Sequence, residues 1–126
     1  MFKIIRNFLL LSTFAISSAF AVGDAFDKTR FDQLLKEGKP VLIAVHADWC
    51  STCRAQEIFL KDLLKTPPYN NLHVLRVDFD RQKEAVRAFK VRMQSTLIVF
   101  KNGKEIDRST ADTDKDSVAL MLRKAL

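Results

Sequence analysis

The run Val41-Leu42-Ile43-Ala44-Val45-His46-Ala47 is apolar at every position but one and is bounded by Pro40 and Asp48. With no polar alternation it has no face suited to water. As a strand it therefore needs packed layers on both sides of its sheet, which makes it the central strand of an α/β architecture. The chain has 126 residues, room for one ordinary core. Apolar residues at 48% and charged residues at 29% exclude a disordered chain, and over most of its length a membrane protein.

The flanking segments fit that strand. Residues 24–37 place Phe26, Phe31, Leu34 and Leu35 at loose helical spacing and stop at Gly38 and Pro40, which predicts a first helix. From Cys50 the apolar positions are Ile58, Phe59, Leu60, Leu63 and Leu64, the period of an amphipathic helix that Pro67 and Pro68 end. Residues 72–79 read as a strand, and residues 81–89 as a short helix with Ala85, Val86 and Phe89 on one face. Asn102-Gly103 between residues 96–101 and 104–108 is a hairpin signal, because that pair accepts the positive φ angles of a tight turn. Asp112, Asp114 and Asp116 offer N-cap oxygens to a closing helix carrying Val118, Met121, Leu122 and Leu126. The result is a mixed sheet flanked by helices.

The first 21 residues are of another kind. Lys3 and Arg6 precede an apolar stretch over residues 8–16, and Ser17-Ser18-Ala19-Phe20-Ala21 follows it. A basic start, a short apolar core and a small-x-small end make a secretory signal peptide, with cleavage expected after Ala21. The apolar stretch is short for a bilayer span of about 20 residues, although an uncleaved N-terminal anchor is the alternative. Either way the remainder, residues 22–126, is expected to be periplasmic or secreted. With Lys3 and Arg6 removed, the formal charge of +6 falls to +4. The remaining Lys and Arg are scattered, so no nucleic-acid-binding stripe is expected.

Cys50 and Cys53 are the chain's two cysteines. A bridge between them closes so short a loop that it restrains little of the unfolded chain, so the spacing suits exchange better than stapling. They follow a buried strand and open a helix, where free N–H groups and the helix dipole favour an anion. Cys50 is therefore the expected nucleophile. Cys53, one turn on, is placed to attack the mixed disulfide that Cys50 forms and to release the partner. A zinc site shares the Cys-x-x-Cys spacing but wants a second ligand pair, and His46 and His73 lie far from finger spacing. No metal or other cofactor is expected beyond the Cys50–Cys53 pair.

Residues 47–54, Ala-Asp-Trp-Cys-Ser-Thr-Cys-Arg, resemble the active-site segment of the thioredoxin family, and residues 91–103 resemble its later loop, strand and hairpin. The element order agrees over residues 41–126. The resemblance implies a thioredoxin-like fold and disulfide exchange with protein substrates. It also implies that Trp49 covers the site and offers an apolar platform, the alternative being a half-buried core tryptophan. Arg54 reads as a solubilising surface residue.

Three positions depart from the family. Its buried acid, six residues before the first cysteine, is Ala44 here. Strand alternation puts His46 on the same face, nearer the cysteines, as a candidate for proton handling or for stabilising the Cys50 thiolate; the alternative is a His that is merely packed or solvated. The family's cis-proline before the strand threonine is Ser95, preceding Thr96. A cis Gln94–Ser95 bond would cost about 2.5–4 kcal/mol, so either a trans peptide with a rearranged loop or a strained cis one is expected. Ser95 then brings a hydroxyl and an N–H near the sulfurs, where they are expected to assist the thiolate or admit a metal ion, and partner choice should differ at residues 94–96. Ser51 and Thr52 fill the redox-tuning positions between the cysteines and resemble neither the reducing nor the oxidising pairs of the family. The reading is a thiol–disulfide oxidoreductase, more a reductant than an oxidant, that acts on protein thiols and disulfides and has a membrane or soluble redox partner. The competing class is a metal-binding or non-catalytic interaction module of the same fold.

Overall fold

The computed structural model describes residues 22–126, so the expected leader at residues 1–21 lies outside the described residues. In chain order the elements are β1 (Asp24–Ala25), α1 (Lys28–Lys36), β2 (Val41–His46), α2 (Ser51–Leu63), a 3-10 turn (Tyr69–Asn71), β3 (His73–Asp78), α3 (Lys83–Ala88), β4 (Thr96–Lys101), β5 (Lys104–Thr110) and α4 (Lys115–Arg123). The strands form one sheet in the order β1-β3-β2-β4-β5. β2 lies at its centre, parallel to β3 and antiparallel to β4.

The two-sided burial expected of β2 is what the packing shows. Leu42 and Ala44 point to one face, where they join Leu97 and Val99 of β4 beneath Leu60 and Leu63 of α2 and Val118, Met121 and Leu122 of α4. Val41, Ile43 and Val45 point to the other, with Leu75, Val77, Ile98 and Phe100 beneath Phe31 and Leu34 of α1 and Ala85 and Val86 of α3. Each face is covered by two helices, and the period of two along β2 divides its side chains between them.

Local chemistry sets the boundaries. α1 begins later than the apolar spacing suggested: Asp27 is its N-cap, accepting the Arg30 N–H at 3.0 Å. Residues 24 and 25 instead form β1, paired in parallel with Leu75 and Arg76. This edge strand left no signal in the sequence, because it is two residues long and both are exposed. Gly23 makes the approach possible, since a Cβ there would stand 2.5 Å from Val74 Cγ1. In the β4–β5 turn, Asn102 and Gly103 both have positive φ, 51° and 78°, as the tight hairpin requires. Of the three aspartates before α4, Asp114 is the cap, accepting the Ser117 N–H at 2.8 Å.

Candidate active site

β2 ends at His46, and Ala47, Asp48 and Trp49 turn the chain into α2, whose N-cap is Cys50. Cys50 Sγ accepts the Cys53 N–H at 3.0 Å, so a sulfur takes the place that a serine or aspartate oxygen fills at most helix starts. The two cysteines are joined by a disulfide with Cα atoms 5.3 Å apart. Both are buried, at 2% and 4% exposure, beside Ala47 and Phe79. Ser51 is exposed and Thr52 half-buried on the first turn of the helix.

Trp49 stands outside this pocket with 59% of its surface exposed. Its Nε1 donates to Asp80 Oδ2 at 2.8 Å, and Asp80 is tied back by its own N–H to Asp78 Oδ1 at 3.0 Å. The indole is therefore fixed at its polar edge while its faces stay open. Arg54 Nη1 donates to the Asp48 carbonyl at 3.1 Å, bracing the turn before the cysteines.

His46 shares the face of Ala44, as alternation along β2 requires. Its Nδ1 lies 3.2 Å from the Val77 carbonyl oxygen, which can only accept, so that nitrogen carries the proton. Its Nε2 lies 3.9 Å from Asp48 Oδ1.

The Gln94–Ser95 peptide is trans, and Ser95 is buried in the left-handed region at φ 60°. That conformation costs a non-glycine residue about 1–2 kcal/mol. Four hydrogen bonds hold it. The Ser95 N–H donates to the Val45 carbonyl at 2.8 Å, its carbonyl accepts from the Ala111 N–H at 3.0 Å and from Gln56 Nε2 at 3.2 Å, and its hydroxyl donates to the Gln94 carbonyl at 2.5 Å. Neither proton of Ser95 is offered to a sulfur, which differs from the assistance expected from sequence. Val45 O links the two parts of the site, since Cys53 Sγ also lies 3.9 Å from it. Thr96 Oγ1 donates to the Met93 carbonyl at 2.8 Å and meets Thr110 Oγ1 at 3.0 Å, fixing the start of β4 against β5.

Two further residues of α2 matter: Gln56, which the apolar spacing does not single out, and Glu57, which it places among the polar residues of the helix. Gln56 is buried, and besides Ser95 its Nε2 reaches the Asp112 carbonyl at 3.0 Å, so it ties α2 to both loops. Its signal was a polar residue on the face of Cys53, Leu60 and Leu63, the helix positions that are buried. Ile58, expected on the apolar side, is instead 73% exposed. Glu57 is half-buried, and desolvation raises its pKa above the ordinary carboxylate value, against the opposing pull of His46, Arg76, Lys61 and Arg54.

The thioredoxin family model matches residues 23–124. The chain belongs to the thioredoxin family. It is 36% identical over 84 residues to thioredoxin of Chlamydia muridarum, covering 67% of this chain and 80% of that one. To thioredoxin of Rickettsia bellii it is 29% identical over 92 residues, covering 73% and 87%. Among solved structures it is similar to Trxlp from Edwardsiella tarda EIB202, with a TM-score of 0.77, 39% identity, and coverage of 80% of this chain and 98% of that one. The mixed five-stranded sheet with four helices is the thioredoxin fold. The protein is thus a thiol–disulfide oxidoreductase, its redox group is the Cys50–Cys53 disulfide, and thioredoxins act on protein disulfides. Among the described residues no three His, Cys, Asp or Glu side chains are grouped to hold a metal ion.

Proposed function

We propose that the protein reduces disulfides of other proteins outside the cytoplasm, with residues 1–21 as an export leader and residues 22–126 as the working domain. The observation that carries the reading is Cys50 Sγ at the N-cap of α2, receiving the Cys53 N–H. A helix start stabilises negative charge, so a thiolate formed there is favoured. The Cys50 thiolate attacks one sulfur of a substrate disulfide, forming a mixed disulfide and expelling the other sulfur as thiolate. Cys53 then attacks Cys50 Sγ, closes the intramolecular bond and frees the second substrate thiol. Trp49 and the partly exposed Gln94 serve as the docking surface, with Ser95 and Thr96 buried as its support. In an oxidising compartment the Cys50–Cys53 bond must be reopened by a redox partner, membrane-bound or soluble. The resemblance of residues 47–50 to exported thioredoxin domains that serve a membrane disulfide-reductase system supports this direction.

Equilibration of the Cys50–Cys53 couple against glutathione tests it. A potential near about −270 mV fits a reductant, whereas one near about −120 mV would reverse the direction. Cys50→Ala should abolish exchange, and Cys53→Ala should accumulate mixed disulfides with partner proteins. Fractionation of cells making the full chain should find it shortened by residues 1–21 and outside the cytoplasm; a full-length cytosolic product would refute the export reading.

A further inference from the structure

Resolution requires that Cys53 lose its proton, and among the described residues no carboxylate or imidazole is hydrogen-bonded to its sulfur. The Cys53 side chain is buried beside Ala47 and Phe79, an apolar setting that disfavours a thiolate. The polar atom paired with its sulfur, apart from Cys50, is the Val45 carbonyl oxygen at 3.9 Å, which accepts from a thiol and so favours the protonated form. The β2 side chain behind it is Ala44, which has no titratable group.

Behind Cys53 lies a cavity of about 20 Å³, lined among others by Ala44, His46, Cys53, Gln56, Glu57 and Arg76. That volume has room for at most one water, and although Val22, Leu60 and Leu97 make much of its wall apolar, Cys53 and Glu57 both border it. Glu57 follows Cys53 by four residues on α2, which puts both on the same side of the helix. We propose that Glu57 accepts the Cys53 proton across this cavity and so triggers the resolving step. The inference rests on Cys53 being the resolving thiol.

The step balances as follows. The Cys53 thiol proton passes to the Glu57 carboxylate, directly or through a water in the cavity. The Cys53 thiolate attacks Cys50 Sγ, the Cys50–Cys53 bond forms, and the bond from Cys50 to the substrate sulfur breaks. The substrate leaves as thiolate and takes up a proton, which returns Glu57 to its ionised state. Across the full exchange the two cysteines are oxidised by two electrons and the substrate disulfide is reduced.

The surroundings of Glu57 suit the task. Burial makes its carboxyl a better proton acceptor than an exposed one, while His46 from β2, Arg76 from β3, and Arg54 and Lys61 from α2 keep the ionised form accessible. Arg76 is itself anchored, its Nη1 donating to the carbonyls of Val22 at 3.5 Å and Gly23 at 3.2 Å. His46 is the rival base on this cavity.

The reaction of the reduced full-length protein with dithiobis(nitrobenzoate) separates the two steps. The first nitrothiobenzoate released reports attack by Cys50, and the second reports resolution by Cys53. Glu57→Gln should slow the second release at least about tenfold at neutral pH and move its pH midpoint upward, with the first release changed less than about twofold. Glu57→Asp should restore part of the rate. Because burial penalises the ionised Glu57, the Gln variant should be no less stable than wild type at neutral pH, so a slow second phase would not reflect misfolding. An unchanged second phase in Glu57→Gln, equal slowing of both phases, or a second phase slowed only by His46→Phe would each overturn the proposal. Failure of the wild-type protein to release nitrothiobenzoate at all would instead overturn the exchange reading on which it rests.

Discussion

The two faces of the sheet are built to different ends. Under α1 and α3 the interior is hydrocarbon and aromatic: Phe26, Phe31, Phe89 and Phe100 pack with ring centroids 5.1–6.0 Å apart, mostly edge to face. Under α2 and α4 the part nearest the cysteines contains Ala44, His46, Gln56 and Glu57 around a cavity. The first face supplies apolar burial and ring contacts, which stabilise the domain, and the same rings border an open cleft between α1 and α3. The second brings polar groups behind a buried sulfur. One sheet can carry both because Val41 to Val45 of β2 are buried between the two layers.

That contrast can be broken from either side. Phe31→Ala on the aromatic face should cost about 3–5 kcal/mol, read as a lower urea midpoint at unchanged slope, with the exchange rate of the folded fraction preserved. If exchange fell in parallel with stability, the two faces would not be separable. Ser95→Pro would give the loop the family's usual residue, yet it should destabilise by about 2 kcal/mol or more. Proline cannot adopt φ 60° and removes the N–H that satisfies Val45 O. A variant as stable as wild type would show that the loop can rebuild itself around the ring.

The smallest effect lies at the margin of the cavity-bearing face, where Lys124 of α4 donates to Asp107 of β5 at 2.7 Å. This bond, helped by the Arg108 N–H, holds the Asp107 carboxyl below its ordinary value. The pair is partly exposed, so Asp107→Asn should cost at most about 1 kcal/mol. For a carboxyl with a depressed folded-state pKa, the contribution is whole above the ordinary carboxylate range and is lost as pH falls through the depressed value. Wild type and variant should therefore differ in melting temperature at neutral pH and converge in acid; a difference that persists in acid would assign the effect to packing.

How much could be read beforehand followed the range of the forces involved. The strand of residues 41–46, the hairpin at Asn102-Gly103 and the Cys50–Cys53 pair were legible because each is set by neighbours in sequence. β1 was not, because a two-residue edge strand joined through its backbone carries no side-chain pattern. The apolar spacing starts the first helix at Asp24, whereas Asp27 caps it, since nearby aspartates look alike to a pattern of caps and apolar spacings. The roles of Gln56 and Glu57 are not legible for a related reason. Their surroundings come from Ser95, Asp112 and Arg76, which are distant in the chain and come near only after the sheet has closed.

The order of the strands has a further consequence for a thiol–disulfide oxidoreductase. A sheet's outer strands expose unpaired backbone groups that invite other chains to add on and polymerise. Here one border is β1, only two residues long, and the other is β5, in which Lys104, Glu105, Asp107 and Arg108 place charge along nearly the whole strand. Neither border is a good template for a foreign strand. Self-association and fibril growth are discouraged at the edges, which leaves the end of the molecule that carries the sulfurs as the place for contact with other proteins.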